Sequence, residues 1–196
     1  MTSCQFYKVL SFVFLVVIVL RFLQQRFIAQ QFLAPRDAAE SARLKELIRR
    51  GDLLVDTLER EQYPDEKISK RIVKNWRSLR KKNRIGITPE NTDTPGFVIN
   101  KDDAMQLCLT KSPDAKGDLD ELNMNTFVLI HEIAHLGALE YQHGGEFLAV
   151  FKKLLRKSID IGIWKYVDYG ENPQMYCEYN VDAIPTIPDK FRAVFG

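Results

Sequence analysis

The chain has 196 residues, 45% of them hydrophobic and 28% charged, with a net charge of +2. That length holds one compact domain plus a short appendage, and the composition excludes a disordered chain. So small a net charge gives no ground for nucleic-acid binding, and no specific nucleic-acid partner is expected.

From the N-terminus, Val9 to Leu20 is apolar except for Ser11, and Phe6 to Leu23 makes an 18-residue stretch with Lys8 and Arg21 near its ends. A membrane-crossing helix takes about 17–25 residues, and terminal Lys or Arg side chains reach back to the interface. A cleaved signal peptide is the competing reading, but no small-x-small cleavage site follows. Residues 1–24 are therefore expected to be a transmembrane anchor, with a juxtamembrane linker over 25–40. Arg21, Arg26, Arg36 and Arg43 follow the span, against Lys8 before it. That bias makes the expected localisation a single-pass membrane protein whose larger part faces the cytoplasm.

Residues 41–82 read as two packing helices. Leu44, Leu47, Ile48, Leu54, Val55 and Leu58 fall at helical spacing, with Gly51-Asp52 as a candidate bend. Pro64-Asp65 opens the second helix, whose apolar face carries Ile68, Ile72, Val73, Trp76 and Leu79. The basic stretches Arg77–Arg84 and Lys152–Lys157 read as solvated helix surfaces, with an anion or lipid contact as the lesser alternative.

Residues 83–196 are expected to form the core domain. Arg84 to Thr94 reads as a loop, followed by strands over Gly96–Asn100 and Ala104–Thr110 that suit a hairpin. The three cysteines, Cys4, Cys108 and Cys177, are odd in number and contain no CxxC pair. They read as reduced thiols, which points to a reducing compartment.

Asn123 or Asn125 is a candidate cap for a helix running through His131-Glu132-Ile133-Ala134-His135. Helix positions four apart share a face, so the two imidazoles can bind one metal ion. Glu132 is then placed to move a proton for metal-activated water. The third and last histidine of the chain, His143, is the natural third ligand, with Glu140 and Glu146 in reserve. Geometry sets a condition, because eight residues of straight helix rise about 12 Å. The helix must stop near Gly137 and the chain must turn back. Beyond the site, Glu146 opens a helix with an apolar stripe through Phe147 and Phe151, closed by Gly162. Of the tyrosines that follow (Tyr166, Tyr169, Tyr176 and Tyr179), Tyr169 and Tyr176 are candidate transition-state stabilisers.

The runs HEIAHLGALEYQHGGEF, NMNTFVLIHEIAH, FVINKDDAMQLCL and IGIWKYVDYGENPQMYC resemble the WLM and SprT-like zinc metallopeptidases, above all the WLM-like proteins of large double-stranded DNA viruses. The resemblance covers about residues 95–185. It implies an α+β, minimal zincin-like domain in which a small sheet flanks the HExxH helix. It also implies zinc as cofactor, His131, His135 and His143 as its ligands, Glu132 as general base, and protein or peptide as substrate. With the anchor, the expectation is a membrane-anchored metallopeptidase, with capsid or other virion proteins as further partners. The alternative is a catalytically silent zincin-fold protein of a virion membrane.

Overall fold

A computed structural model describes Val16, Val17, Val19 and residues 38–88, 95–109, 118–177 and 179–181. The chain divides into two compact units, Met1–Ala34 and Pro35–Gly196, and all the elements named here belong to the second. In chain order they are α1 (Ala38–Glu61), α2 (Glu66–Lys81), β1 (Ile85–Ile87), β2 (Gly96–Ile99), β3 (Ala104–Leu107), α3 (Asp118–Gly137), α4 (Gly145–Asp160), β4 (Gln174–Tyr176) and β5 (Tyr179–Val181).

This α+β arrangement corrects one part of the expected fold. No helix among the described residues is long and apolar enough to cross a membrane. Of the expected anchor over 1–24, only Val16, Val17 and Val19 are described. The transmembrane helix, and the single-pass membrane localisation that rested on it, are therefore withdrawn.

Helices α1 and α2 form an antiparallel hairpin. The first buries Leu44, Leu47, Leu54, Val55 and Leu58, one or two per turn, so a single stripe faces inward. Gly51-Asp52 does not bend it. The Trp76 indole lies where a side chain at Gly51 would stand, and its Nε1 donates to Asp52 Oδ1 at 2.8 Å. The pair is thus the seat of the tryptophan, and the helix runs on unbroken. Asp65 caps α2 by accepting from the Ile68 amide at 2.9 Å, which satisfies one of the amides that a helix start leaves over.

The three-stranded sheet has the order β1-β3-β2. Strands β2 and β3 form the expected antiparallel hairpin, pairing Gly96 with Leu107 and Ile99 with Ala104. Strand β1 lies in the stretch expected to be a loop and runs parallel to β3, Ile85 opposite Met105. Helix α3 is central and touches α1, α2, α4, β2 and β3. It starts before Asn123 and Asn125, which sit inside it and tie down distant chain instead of capping it. Asn123 exchanges two 2.8 Å hydrogen bonds with the backbone of Lys165, and Asn125 donates to the Tyr176 hydroxyl at 3.0 Å.

The thiol expectation is also corrected. Cys108, just past β3, and Cys177, in the β4–β5 turn, form a disulfide with their Cα atoms 6.2 Å apart. The argument for a reducing compartment lapses with it, and Cys4 lies outside the described residues. The Tyr176 hydroxyl donates to the Cys108 carbonyl, so covalent and hydrogen bonds fasten the tail at one point. The basic stretches are engaged in part within the fold: Arg77 pairs with Glu59 at 2.6 Å, Arg80 with Asp52 at 3.1 Å, Lys82 with Asp102 at 3.0 Å and Lys157 with Glu61 at 2.6 Å.

Candidate metal centre

His131 and His135 sit one turn apart on α3, which ends at Gly137 as the geometry demands. Gly137, the last residue of the helix, matters for packing. A β-carbon there would stand 2.8 Å from Ile72 Cγ1 and 3.2 Å from Ile68 Cγ2, so its absence lets α2 close on the last turn. The final carbonyls of a helix lack partners within it, and side chains from other elements supply them here. Lys101 Nζ donates to His135 O at 2.9 Å, Asn75 Nδ2 to Leu136 O at 3.0 Å and Arg71 Nε to Gly137 O at 2.6 Å. Two of these donors are cations, which suits the negative end of the helix dipole.

The chain then turns back through residues 138–144. Glu140 Oε1 accepts the Phe147 amide at 2.8 Å, and Glu146 Oε2 accepts the Leu139 amide at 2.9 Å, so the two carboxylates clasp the loop across its ends. Arg71 holds Glu146 at 2.8 Å, and a side chain at Gly144 would collide with the Glu140 carboxylate. The two reserve ligands thus brace the loop that presents His143.

That loop brings His143 Nε2 to 2.9 Å from His131 Nε2 and 3.2 Å from His135 Nε2. Phe147 backs all three rings, stacking on His135 with centroids 4.3 Å apart and meeting His131 at 4.8 Å and His143 at 4.7 Å. Phe151 adds an edge contact to His131 at 5.1 Å. Burial, and then the neighbouring His135 and His143, push His131 down to about 3; burial, then His143 and Lys101, push His135 to about 4. Both rings are therefore neutral at neutral pH, the form in which imidazole binds a metal.

The donor set fits a zinc ion. Bonds of about 2.0–2.1 Å in tetrahedral geometry place neighbouring nitrogens roughly 3.3 Å apart, close to the two separations that His143 makes, and the ligand atoms of all three rings lie within 4.8 Å of one another. Hydrogen bonding alone accounts for the cluster less well, because one N–H on His143 Nε2 cannot serve two facing nitrogens. His131, His135 and His143 are the group that can hold a metal among the described residues.

Glu132 is buried, 3% exposed, and its Oε2 has no hydrogen-bond partner among the described residues. Burial raises its carboxyl to about 8. A cation held by the three rings would oppose that shift by favouring the carboxylate. Its other oxygen, Oε1, lies 3.0 Å from where a β-carbon of Gly96 would stand, so the first residue of β2 leaves room for the acid. Tyr169 and Tyr176 are each 1% exposed. Tyr169 packs edge-on against Phe127 at 4.9 Å, and the Tyr176 hydroxyl is engaged by Asn125 and the Cys108 carbonyl. Those positions suit a core role.

Lys101, Arg71 and Asn75 escape a reading of the sequence because each acts on backbone carbonyls far away in the chain, 34 to 66 residues on. Gly96 is likewise silent in sequence. A glycine opening a strand is a weak hint of close approach, and only the packing reveals what approaches.

Comparison with known proteins yields one informative likeness. Over 86 residues the chain is 33% identical to an uncharacterised protein of Acanthamoeba polyphaga mimivirus; this stretch covers 44% of the chain and 43% of that relative. The chain is thus similar to a viral protein, less than half of whose length it matches. No family model and no solved structure matches it.

Proposed function

We propose that this protein is a zinc-dependent metallopeptidase that hydrolyses peptide bonds, with Glu132 as general base and acid. The observation that carries the reading is the meeting of the Nε2 atoms of His131 and His135, on the helix that also bears the buried Glu132, with that of His143 from the following loop, while Glu132 Oε2 has no hydrogen-bond partner among the described residues. Zinc held by those rings supplies a Lewis acid and lowers the pKa of water to about 7. Glu132 accepts a proton from the attacking water and passes it to the departing amine nitrogen. A site used only for structure has no need of such an acid, and burying an unpaired carboxylate costs stability.

The substrate class we assign is an extended polypeptide. Among the described residues, strand β2 pairs with β3 on one side only, and its first residue borders Glu132. A peptide laid along the other side would gain main-chain hydrogen bonds as an added strand. That mode of binding sets a scissile carbonyl beside the acid without requiring particular side chains.

The test is to incubate the purified full chain with a proteome-derived peptide library and identify new termini by mass spectrometry, with and without a zinc chelator. Chelator-sensitive cleavage supports the proposal. One equivalent of bound zinc with no cleavage across the library contradicts it, and favours a structural zinc centre.

A further inference from the structure

The β2–β3 turn, residues 100–103, is strained and firmly held. Asn100 and Lys101 both have positive φ, 46° and 66°, a left-handed conformation that lysine seldom adopts. Asn100 Nδ2 donates to Asp103 Oδ2 at 2.8 Å within the turn. Asp102 Oδ2 is fixed by Ser78 of α2 at 2.8 Å and by Lys82, the residue after that helix, at 3.0 Å. The strain therefore sits in a frame that over-determines it.

The result is that the Lys101 ammonium reaches across to the metal centre. It donates to His135 O at 2.9 Å and to Glu140 O at 2.6 Å, and lies 4.6 Å from the ring centroid of Tyr141. His135 O belongs to a ligand residue. Glu140 O lies in the returning loop, three residues before His143. One cation thus joins the two backbone segments whose spacing decides whether His143 faces the other two rings. Capping α3 explains the first contact, since a cation suits a helix C-terminus. It does not explain the contact to Glu140 or the stacking over Tyr141, both of which belong to the loop.

Resting on the metal-centre reading above, we propose that Lys101 is a positioning residue: it holds the His143 loop in register with the end of α3 and so sets the geometry of the three-histidine centre. It touches neither the metal nor the reacting atoms. Groups that orient metal ligands in this way typically change metal affinity by about 10–100-fold when removed.

The test measures zinc affinity by competition against a chromophoric chelator, using the full chain stripped of metal. Lys101→Met is expected to weaken zinc binding within that range, and to change the visible absorption of the cobalt-substituted protein, which reports ligand geometry. Lys101→Arg, which keeps the charge and more than one donor, is expected to recover most of the affinity. Lys82→Met loosens the same turn at Asp102 without touching the loop, and is expected to bind zinc like the wild type. Metal-free melting curves separate lost positioning from lost folding, and are expected to agree to within a few degrees for wild type and Lys101→Met. Wild-type affinity and cobalt spectrum in Lys101→Met would overturn the inference. Equal losses in Lys101→Met and Lys82→Met would also overturn it, because the turn would then matter only as structure. A wild-type chain that takes up no zinc brings down the metal-centre reading itself, a failure distinct from the other two.

Discussion

Gly96 and Glu132 are neighbours across the interface of sheet and helix, the carboxylate Oε1 lying 3.0 Å from where a β-carbon at position 96 would stand. Val128 Cγ1 and the Gln106 carbonyl, at 3.2 and 3.1 Å from the same point, close the other sides. A larger side chain at position 96 must therefore displace the acid or push the helix from the strand. Gly96→Val is expected to lower the rate of proteolysis about 100-fold, the usual effect of misplacing a catalytic group by roughly 1 Å. Zinc content should stay near that of the wild type, because the three atoms nearest to that point belong to Glu132, Gln106 and Val128 and none to a histidine. Loss of zinc and activity together would show that the two sites are not separable in this way.

The centre is built from side chains on α3 and on a loop, so metal should stabilise the folded chain. A ligand that binds only the folded state contributes about 4 kcal/mol when present at a thousand times its dissociation constant. Zinc is expected to raise the melting temperature of the metal-free wild type by several degrees, and His143→Ala should lose most of that rise. Scanning calorimetry with graded zinc checks this. An equal rise in wild type and variant would mean that the loop histidine takes no part.

The Cys108–Cys177 disulfide closes a segment with a sequence separation of 69. On the loop-entropy account a cross-link of that length contributes about 4 kcal/mol, and measured values are commonly 2–4 kcal/mol. Changing both cysteines to serine should lower stability by an amount in that range, read from urea unfolding. The three histidines come from α3 and its following loop, so zinc stoichiometry should be retained. A double variant as stable as the wild type would show that the Tyr176 and Asn125 hydrogen bonds suffice to hold the tail.

The HExxH pair was legible because its chemistry depends on a local spacing, four residues on one helix. The same holds for α1, α2 and α4, whose apolar stripes repeat every three or four positions. His143 was legible only as a condition, that the helix must stop near Gly137, since the turn depends on Arg71, Asn75 and Lys101 from elsewhere. Strand β1 was missed because Ile85-Gly86-Ile87 is three residues long and precedes a run of Pro89, Asn91 and Asp93, which reads as loop. Asn123 and Asn125 resembled caps because asparagine bonds readily to backbone nearby; in the fold they bond to partners 42 and 51 residues away. The disulfide was hidden by an odd cysteine count. The run from Phe6 to Leu23 reads as a membrane span from its apolar length, its flanking Lys8 and Arg21 and the lack of a cleavage site, yet no helix among the described residues is long and apolar enough to cross a membrane.

The central claim is that Glu132 works as the acid–base group of a three-histidine zinc site. It is tested most directly by comparing wild type and Glu132→Gln at equal zinc content, on a peptide that the wild type cleaves. The amide is close in shape to the carboxylate but cannot accept the proton, and general acid–base groups contribute about 10²–10⁴-fold. The account predicts that Glu132→Gln binds one zinc ion with wild-type affinity and cleaves at least about 100-fold more slowly. Cleavage at the wild-type rate by the zinc-loaded variant would contradict it.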